Sequence, residues 1–357
     1  YSGLTSGKNF SVKIDDLLVT RGNSGFSKIE NLSKLPFTEN EITESGKLFE
    51  KSSILLGNNA TEEKFRRSDY SKFDIIHLHQ PKMTYFFLFN KINTPIILHY
   101  HGSSNLIQRL NFKISMKLFH RKIEKIIPVS NTALNQIKKM SKNTPSVKVV
   151  FNGVDYNFFN NNKSNQFKKG IPQLIFVGGL RNYKKIDELI CAIPKLLIKY
   201  PKIHLQIIGE GIEFSKLKQN INRKKLQEHI ELVGKQNRKN ISLRLSSSDI
   251  YISASRFETF SLSPLEAMAS GLPVVLSEHP AHKELIEKSN AGKIFSYNNI
   301  SELCLNVEKV FKNKESFSKN ANYFTMNNDW DQMIDQMIKI YQEVFDNYNT
   351  QNNSNLH

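Results

Sequence analysis

Two acidic residues stand eight positions apart in a segment that ends a strand and begins a helix. The acids are Glu258 and Glu266, and the helix pattern assigns Ser263 to the N-cap, Pro264 to the first turn and Gly271 to the C-terminal stop. Free backbone amides and the helix dipole make a helix start a binding place for phosphate groups. In an open parallel sheet such a corner faces the ligand crevice. The segment therefore predicts an anion site with two carboxylates beside it.

A structural role for Glu266 is the alternative reading of this spacing. Ser263 and Glu266 also match a capping box, in which the glutamate side chain accepts a hydrogen bond from the serine amide. Spacing does not choose between the two roles, and both stay open.

Two cations follow the apolar run at 173–178. Arg181 and Lys184 stand in the loop after that run, and charge-assisted hydrogen bonds from such side chains can stabilise a departing diphosphate. The alternative is that both are ordinary loop charges. A further run ends in Gly209-Glu-Gly211, but Phe214 occupies the third glycine position of a dinucleotide fingerprint, so an NAD site is disfavoured.

Histidines alternate along two other apolar runs. His77 and His79 form one pair, and His99 and His101 form the other. Alternate residues of a strand share a face, so these pairs are also compatible with a metal site. Since no carboxylate stands at ligand spacing beside them, the sequence predicts no metal. Histidines bonded to nearby backbone, or a contact of His101 with a sugar or acceptor hydroxyl, remain the open interpretations.

The elements that must position these residues are short apolar runs alternating with longer helical patterns. Such alternation predicts βα units around parallel sheets. The polar stretch 160–170 separates two series of runs and predicts two domains, at 1–162 and 170–325. A helix is expected at 326–346, followed by a disordered, Asn-rich tail at 347–357. Near the start, residues 13–20 are expected to form a strand and residues 42–51 a helix.

The charge of the chain is concentrated in one region. Residues 101–150 hold ten Lys or Arg and one acid, and so carry +9 of the net charge of +17. Cations and apolar residues recur there at helical spacing, which predicts a helix with its apolar stripe packed on the sheet and its cationic flank facing an anionic surface. A general abundance of lysine is the alternative. The residues are Arg109, Lys113, Lys117, Arg121 and Lys125, beside Ile107, Leu110, Ile114 and Leu118.

Other features narrow the class of protein. The cysteines, Cys191 and Cys304, match no ligand spacing and favour a reducing compartment. No apolar run approaches the roughly 20 residues that span a bilayer.

The segment from Glu258 to Val275 resembles the E-x7-E signature of glycosyltransferase family 4, which reads E-x-F-G-x-x-x-x-E-A-M-A-x-G-x-P-V-V. Ser261 stands where that pattern has glycine. The run from Val177 to Asp187 is similar to the family's V-G-R-L-x-x-x-K-G-x-D, with Gly179 at its arginine position. The Asn152-Gly-Val-Asp155 turn and the histidine runs also resemble the family, and the resemblance covers the chain from about Phe73 onward.

The resemblance implies the GT-B fold, with two Rossmann-like doubly wound domains facing across a cleft and a C-terminal helix crossing back. It assigns acceptor binding to the first domain and the nucleotide-sugar to the second. Glu258 then contacts the donor sugar, Glu266 contacts the ribose, and Arg181, Lys184 and His101 complete the catalytic set. Donor-binding positions implied by the family motifs are Gly178, Gly179, Gly209, Val233, Gly234, Phe260, Ser261 and Leu262.

The implied function is a retaining hexosyltransferase that uses a UDP- or GDP-sugar and a glycan or lipid-linked hydroxyl acceptor in polysaccharide or glycolipid biosynthesis. No metal or other cofactor and no nucleic acid partner are expected. The expected location is cytoplasmic, with peripheral contact to an anionic membrane surface. An epimerase or phosphorylase of the same fold, a GT-B protein without transferase activity, and a basic protein that only binds anionic surfaces are the alternatives.

Overall fold

The computed structural model describes residues 75–79, 81–88, 93–103 and 105–354, together with the backbone of three short strands before them. Those strands form an antiparallel sheet in the order β1-β2-β3, so the run at 13–20 contributes to two strands. The helix expected at 42–51 lies outside the described residues. The strands are β1 (Phe10–Ile14), β2 (Leu17–Arg21) and β3 (Ser27–Asn31).

The chain divides into two compact units, residues 1–151 with 333–357 and residues 152–332. The first unit contains a parallel sheet in the order β4-β5-β6-β7. A central strand of a parallel sheet is covered on both faces, and all five residues of β5 are buried. Its elements are β4 (Ile76–Leu78), a 3₁₀ helix (Pro81–Leu88), β5 (Ile96–Tyr100), α1 (Leu106–Phe119), β6 (Ile123–Pro128), α2 (Asn131–Met140) and β7 (Ser146–Val147).

The second unit is built on a six-stranded parallel sheet in the order β10-β9-β8-β11-β12-β13. The order reverses direction at β8 and β11, and ligands of open α/β sheets bind beyond the carboxyl ends of such strands. The strands are β8 (Gln173–Val177), β9 (His204–Ile208), β10 (Ile230–Gly234), β11 (Ile250–Ser253), β12 (Val274–Ser277) and β13 (Gly292–Phe295).

Helices cover this sheet, and two apolar clusters of buried residues fill the space between them and the strands. The helices are α3 (Tyr156–Asn161), a 3₁₀ helix (Asn182–Lys184), α4 (Ile186–Leu197), α5 (Phe214–Arg223), α6 (Arg238–Ser246), α7 (Leu262–Ala269), α8 (Pro280–Ser289), α9 (Ile300–Lys312) and α10 (Lys314–Met326).

Residues 152–162 were expected to close the first domain, but they pack in the second unit. Phe159 is buried in one of its apolar clusters, and Asp155 pairs with Arg238 at 3.1 Å. These contacts attach α3 to the sheet that follows it. The change of unit therefore falls at residue 152.

The last helix, α11 (Trp330–Ser354), returns to the first unit, which confirms the helix that crosses back. Its apolar face packs against that sheet in one buried cluster with Ile97 of β5 and Ile127 of β6. The helix contributes Met337, Ile340, Tyr341 and Val344 to this cluster. The helix continues to Ser354, so residues 347–354 are helical where their composition predicts disorder.

The basic region differs from its prediction in two respects. The apolar stripe of α1 does not pack on the sheet: Ile107 is 71% exposed and Leu110 is 56% exposed. Phe112, Met116 and Phe119 form the buried face instead. The prediction was wrong because the helix has two apolar faces, and the bulkier aromatic face is the one that packs.

Lys125 is not part of that helix. It lies on β6 with its side chain buried, and its Nζ contacts the Glu343 carboxylate of α11 at 2.5 Å. The helical spacing continued by coincidence into the following strand. Within the described residues, no helix combines the length and hydropathy needed to cross a bilayer.

Candidate functional site

Three glycines meet at the carboxyl ends of β8, β9 and β10. The Gly178 amide donates to the Ile208 carbonyl at 3.0 Å, and the Gly209 amide donates to the Gly234 carbonyl at 2.9 Å. Gly209 has a φ of +142°, and a Cβ there would lie 1.9 Å from the Gly178 carbonyl oxygen. Glycine is therefore required at Gly209 for these strand ends to lie so close together.

The loop after β8 places the two predicted cations on one turn. The Lys184 amide donates to the Arg181 carbonyl at 2.9 Å, which closes the 3₁₀ helix. Gly179 and Arg181 are exposed, whereas Lys184 is half-buried. Lys185 stands at the second glycine of the family pattern and keeps a left-handed backbone, with a φ of +49°. The turn thus keeps the geometry that a glycine would favour.

Lys184 and Glu258 form an ion pair that joins this turn to the loop after β11. The two residues are 74 positions apart, and their side chains are only 17% and 15% exposed. The Glu258 amide also donates to His279 Nε2 at 3.4 Å. Burial lowers the pKa of His279, although the Glu258 carboxylate opposes this shift, so that imidazole is neutral and can accept. The sequence-predicted acid and cation therefore belong to one site.

A second ion pair holds the same two loops together. Arg256 pairs with Glu188 of α4, and its amide donates to the Tyr183 carbonyl at 2.7 Å. The Arg256 guanidinium also lies 4.0 Å from the centre of the Tyr297 ring. These contacts fix the backbone on either side of the Lys184–Glu258 pair.

Tyr251 of β11 is a buried tyrosine that is influenced electrostatically by both signature acids. Burial raises its pKa well above the usual range, and the carboxylates of Glu258 and Glu266 raise it further. Its hydroxyl donates to the Val177 carbonyl at 3.2 Å. Glu258 lies in the loop between β11 and α7, and Glu266 lies in α7, so both acids follow the carboxyl end of β11.

Burial raises the pKa of Glu266 to about 8, and the Arg238 guanidinium opposes this shift. Arg238 is held by Asp155 and stacks over the Phe158 ring at 4.1 Å. A half-buried carboxyl with a raised pKa is a common feature of functional sites. The raised pKa of Glu266 therefore makes it a candidate functional residue, with Arg238 as the cation that acts on it.

The helix α7 starts differently from its prediction. Its N-cap is Ser261, with φ +75° and ψ +60°, and the Ser261 side chain makes no capping bond. Ser263 lies inside the first turn, so the capping box between Ser263 and Glu266 is wrong. The left-handed Ser261 starts the helix two residues earlier, and Pro264 is tolerated because first-turn amides lack helical partners.

Ser261 stands at the glycine position of the family pattern and still adopts the left-handed backbone conformation that glycine favours. Its side chain is buried, with 5% of the residue exposed, and its Oγ has no hydrogen-bond partner among the described residues. The flanking Phe260 and Leu262 are half-buried, as are Val233 and Gly234 at the end of β10.

His101 lies in the first unit and belongs to a group of four histidines at the ends of β4 and β5. His101 Nε2 and His79 Nδ1 are 2.9 Å apart. Burial lowers the pKa of His101 to about 4. The imidazole is therefore neutral at physiological pH and can donate or accept a hydrogen bond.

Sequence reasoning missed Tyr251, Arg238 and His279. Tyr251 sits inside an apolar strand, where its spacing resembles that of a core residue. Arg238 and His279 each lie more than ten positions from the nearest signature acid, so no local spacing links them to Glu258 or Glu266. Only the folded arrangement shows their contacts.

Comparison with solved structures gives the class of fold. The Anabaena protein HepE in complex with UDP aligns with a TM-score of 0.68 at 19% identity, over 79% of this chain and 81% of that one. The same protein in complex with UDP-glucose gives a TM-score of 0.67 at 18% identity, over 79% and 81%. Together with the two parallel-sheet units, this likeness shows the GT-B fold.

Comparison of sequences gives the family. The model for glycosyl transferases group 1 matches residues 157–340, and that for glycosyltransferase family 4 matches residues 50–158. The first match covers more than half of the chain, which therefore belongs to the glycosyl transferases group 1 family and is a glycosyltransferase.

Two relatives illustrate the range of that family. An uncharacterized glycosyltransferase of Methanocaldococcus jannaschii is 27% identical over 262 residues, which are 72% of this chain and 71% of the relative. A phosphatidyl-myo-inositol mannosyltransferase of Mycobacterium tuberculosis is 24% identical over 292 residues, which are 77% of this chain and 75% of the relative.

Proposed function

We propose that this glycosyltransferase is a retaining hexosyltransferase that moves a sugar from a UDP- or GDP-sugar to a hydroxyl group of a glycan or lipid-linked acceptor. The product would contribute to a cell-surface polysaccharide or glycolipid. The observation that carries the proposal is the Lys184–Glu258 ion pair, which joins the carboxyl-end loops of β8 and β11 beside the start of α7.

The donor diphosphate is assigned to Arg181, Lys184 and the first amides of α7. Arg181 is exposed and Lys184 is half-buried on one turn, so both can approach an anion. Fixed cations and helix-start amides stabilise negative charge as it develops on a leaving group, without reorganisation during the reaction. This assignment needs no metal ion at the diphosphate.

The two acids take different parts of the donor. Glu258, which is already oriented by Lys184 and by its own backbone contact to His279, is assigned to the transferred sugar. Glu266 is assigned to the ribose hydroxyls. With a pKa of about 8, its carboxyl group is mostly protonated at neutral pH, so it can both donate hydrogen bonds to these hydroxyls and accept hydrogen bonds from them. Retention then follows if the acceptor hydroxyl attacks from the face that the diphosphate leaves.

UDP is favoured as the nucleotide. The structurally similar Anabaena protein was solved with UDP and with UDP-glucose, which supports a uridine donor over a guanosine donor. On the acceptor side, His101 is the residue assigned to the hydroxyl group, since its imidazole is neutral and its ring lies at the end of a strand.

The acceptor proposal extends to a membrane surface because of α1. Its exposed apolar residues, Ile107, Leu110, Ile114 and Leu118, lie among the exposed cations Arg109, Lys113 and Lys117. A helix of this composition binds anionic bilayers through buried apolar area and electrostatic attraction. Binding of α1 to an anionic bilayer would attach the protein peripherally to the cytoplasmic face of a membrane. It would also bring the protein close to a lipid-linked acceptor.

Donor hydrolysis tests the enzymatic part of the proposal. Glu258→Ala should lower the release of nucleoside diphosphate from the preferred donor about 100-fold to 1,000-fold, the usual effect of losing one stabilising contact in the transition state. The matched control is Glu228→Ala, which removes an exposed acid of the same unit.

Equal activity of the two variants would refute the role of Glu258. Vesicle binding without any binding of UDP- or GDP-sugars would favour the alternative of a GT-B protein that binds anionic surfaces and transfers no sugar.

A further inference from the structure

Four histidines form a compact cluster on the first unit's sheet. His77 pairs in register with Ile97 on the neighbouring parallel strand, so His79 falls beside His99, and His101 follows two residues later. Ring centres are 4.5 Å apart for His77 and His79, 5.2 Å for His79 and His99, and 4.5 Å for His99 and His101. All four side chains lie on one face because alternate residues of a strand share a face.

Several ring nitrogens of the cluster are buried without a hydrogen-bond partner among the described residues. They are both nitrogens of His99, which is 2% exposed, and Nε2 of His77. A buried polar atom without a partner costs about 1 to 3 kcal/mol. A bound ligand could complete the hydrogen-bonding or coordination capacity of these nitrogens.

Two contacts already orient the rings around this region. Nδ1 of His77 lies 2.7 Å from the Tyr341 hydroxyl of α11, and Nδ1 of His79 lies 2.9 Å from His101 Nε2. Partners that hold one nitrogen of a histidine fix its tautomer and direct the other nitrogen toward a ligand. The His77 ring is thus held by Tyr341 of α11, and the His79 ring is held by His101.

The chemistry of the cluster selects the ligand class. The cluster consists of imidazole rings, each of which can offer the lone pair of an unprotonated nitrogen. An all-nitrogen set is unsuited to Mg²⁺ or Ca²⁺. Imidazole nitrogens suit Zn²⁺, Co²⁺, Ni²⁺ and Cu²⁺, and three histidines without a carboxylate are a sufficient set for zinc.

We propose that His77, His79 and His99 bind a transition-metal cation such as Zn²⁺, with Tyr341 and His101 as the partners that orient the first two rings. One ligand nitrogen from each histidine already lies within 4.8 Å of the others. Nitrogens bound to one tetrahedral zinc ion at about 2.1 Å lie about 3.4 Å apart. Metal binding would therefore require the rings to move closer together by rotation about χ2, which is a soft torsion in histidine.

In the sequence, the lack of a carboxylate at ligand spacing predicted no metal site. In the folded chain, three histidines come together and no carboxylate is needed. The ligands come from two adjacent strands, and the orienting hydroxyl comes from a residue 264 positions away from His77. Binding would link α11 to the sheet through the metal, His77 and Tyr341. The proposal is independent of the assigned donor chemistry, whose residues belong to the second unit.

The test uses tag-free protein stripped with a chelator and titrated with Co²⁺ and then with Zn²⁺. The expected result is one ion per chain in the micromolar range or tighter, a visible Co²⁺ absorption band of tetrahedral type that Zn²⁺ displaces, and a rise in Tm of about 5 °C or more at saturating Zn²⁺.

His99→Leu is the decisive variant, since it removes two unpartnered nitrogens and should leave the metal-free protein folded and at least as stable. It should abolish the Co²⁺ band and the Zn²⁺-dependent rise in Tm. Tyr341→Phe should weaken Zn²⁺ binding about 10-fold or more, whereas the control His120→Ala, in the same unit, should not change it.

Two results would overturn the proposal. One is wild-type protein that binds Zn²⁺ only in the millimolar range, and the other is binding that His99→Leu leaves unchanged. Should His99→Leu fail to fold, the wild-type stoichiometry and the Tyr341→Phe affinity decide the question.

Discussion

Ser261 shows how one residue can depart from a family pattern while its backbone conforms to it. The family has glycine at this position, and Ser261 keeps a φ of +75°. For a residue with a Cβ, the left-handed region costs roughly 1 to 2 kcal/mol. Within the described part of the chain, the buried Oγ has no hydrogen-bond partner to offset that cost. The chain therefore retains a strained start to α7 beside its two signature acids.

Ser261→Gly should stabilise the protein, since glycine adopts this backbone without strain. After the entropy that glycine adds to the unfolded chain, a gain of about 1 kcal/mol remains, or a rise in Tm of about 2 to 4 °C. Scanning calorimetry measures it. Ser263→Gly, the same change within the helical turn, should lower the Tm, and a lower Tm for Ser261→Gly as well would contradict the account.

At the residue scale, the sequence predicted the acids better than their surroundings. Spacing and the family motifs made Glu258, Glu266 and Lys184 candidates because such signals are local, and their roles stay predictions. It could not show that Lys184 pairs with Glu258, or that Tyr251 lies close to both acids, because those contacts depend on how β8 and β11 are placed in the sheet. The capping box failed because a left-handed N-cap cannot be read from a serine.

Among the elements, the strand ends are defined by close backbone contacts. Gly178, Gly209 and Gly234 end three adjacent strands, but the space around them differs. A Cβ on Gly209 would lie 1.9 Å from a carbonyl oxygen, whereas a Cβ on Gly234 would meet no atom of the residues that the structure describes within 4 Å. Both have positive φ, at +142° and +78°. Gly209 is therefore required both by lack of space for a Cβ and by its backbone conformation, whereas Gly234 is favoured by its backbone conformation alone.

Gly209→Ala should therefore lower the free energy of unfolding much more than Gly234→Ala. We expect about 3 kcal/mol for the first, from the clash and the strained φ, and about 1 kcal/mol for the second, from the left-handed φ. Urea denaturation of the two variants measures this difference. Equal losses would mean that the strand ends are not held together as the structure shows.

The helix α1 is the element whose role changed most between sequence and structure. Helical spacing predicted both its length and its cations, but it could not decide which of two apolar faces packs on the sheet. The exposed face carries Ile107, Leu110, Ile114 and Leu118. Periodicity marks apolar faces, and tertiary packing selects between them.

Charge reversal on α1 should reduce binding to anionic vesicles. Lys113→Glu with Lys117→Glu should weaken co-sedimentation at least about 30-fold, because each basic residue near an anionic surface contributes about 1 kcal/mol. The matched control is Lys138→Glu with Lys139→Glu, the same charge change on exposed positions of α2. Equal losses in the two double variants would indicate a general charge effect in place of an α1 docking surface.

Over the whole molecule, the alternation of strands and helices and the polar stretch 160–170 predicted two parallel-sheet domains, and the family resemblance implied a last helix that returns to the first. The sequence did not predict that residues 152–162 join the second unit, because that depends on the burial of Phe159 and on the Asp155–Arg238 pair. Nor could it show the contact between His77 and Tyr341, which are 264 positions apart. Such long-range contacts have no signature in local spacing.

The central claim is that Arg181 and Lys184 bind a nucleoside diphosphate without a metal ion. Calorimetric titration with UDP and GDP in the presence of a chelator tests it on the wild type, on Arg181→Met, on Lys184→Met and on the control Lys224→Met, an exposed lysine of the same unit. We expect one of the nucleotides to bind the wild type and the control equally, and each site variant to bind it about 100-fold more weakly. Failure of both nucleotides to bind, or binding by Lys184→Met as tight as by the wild type, would contradict the account.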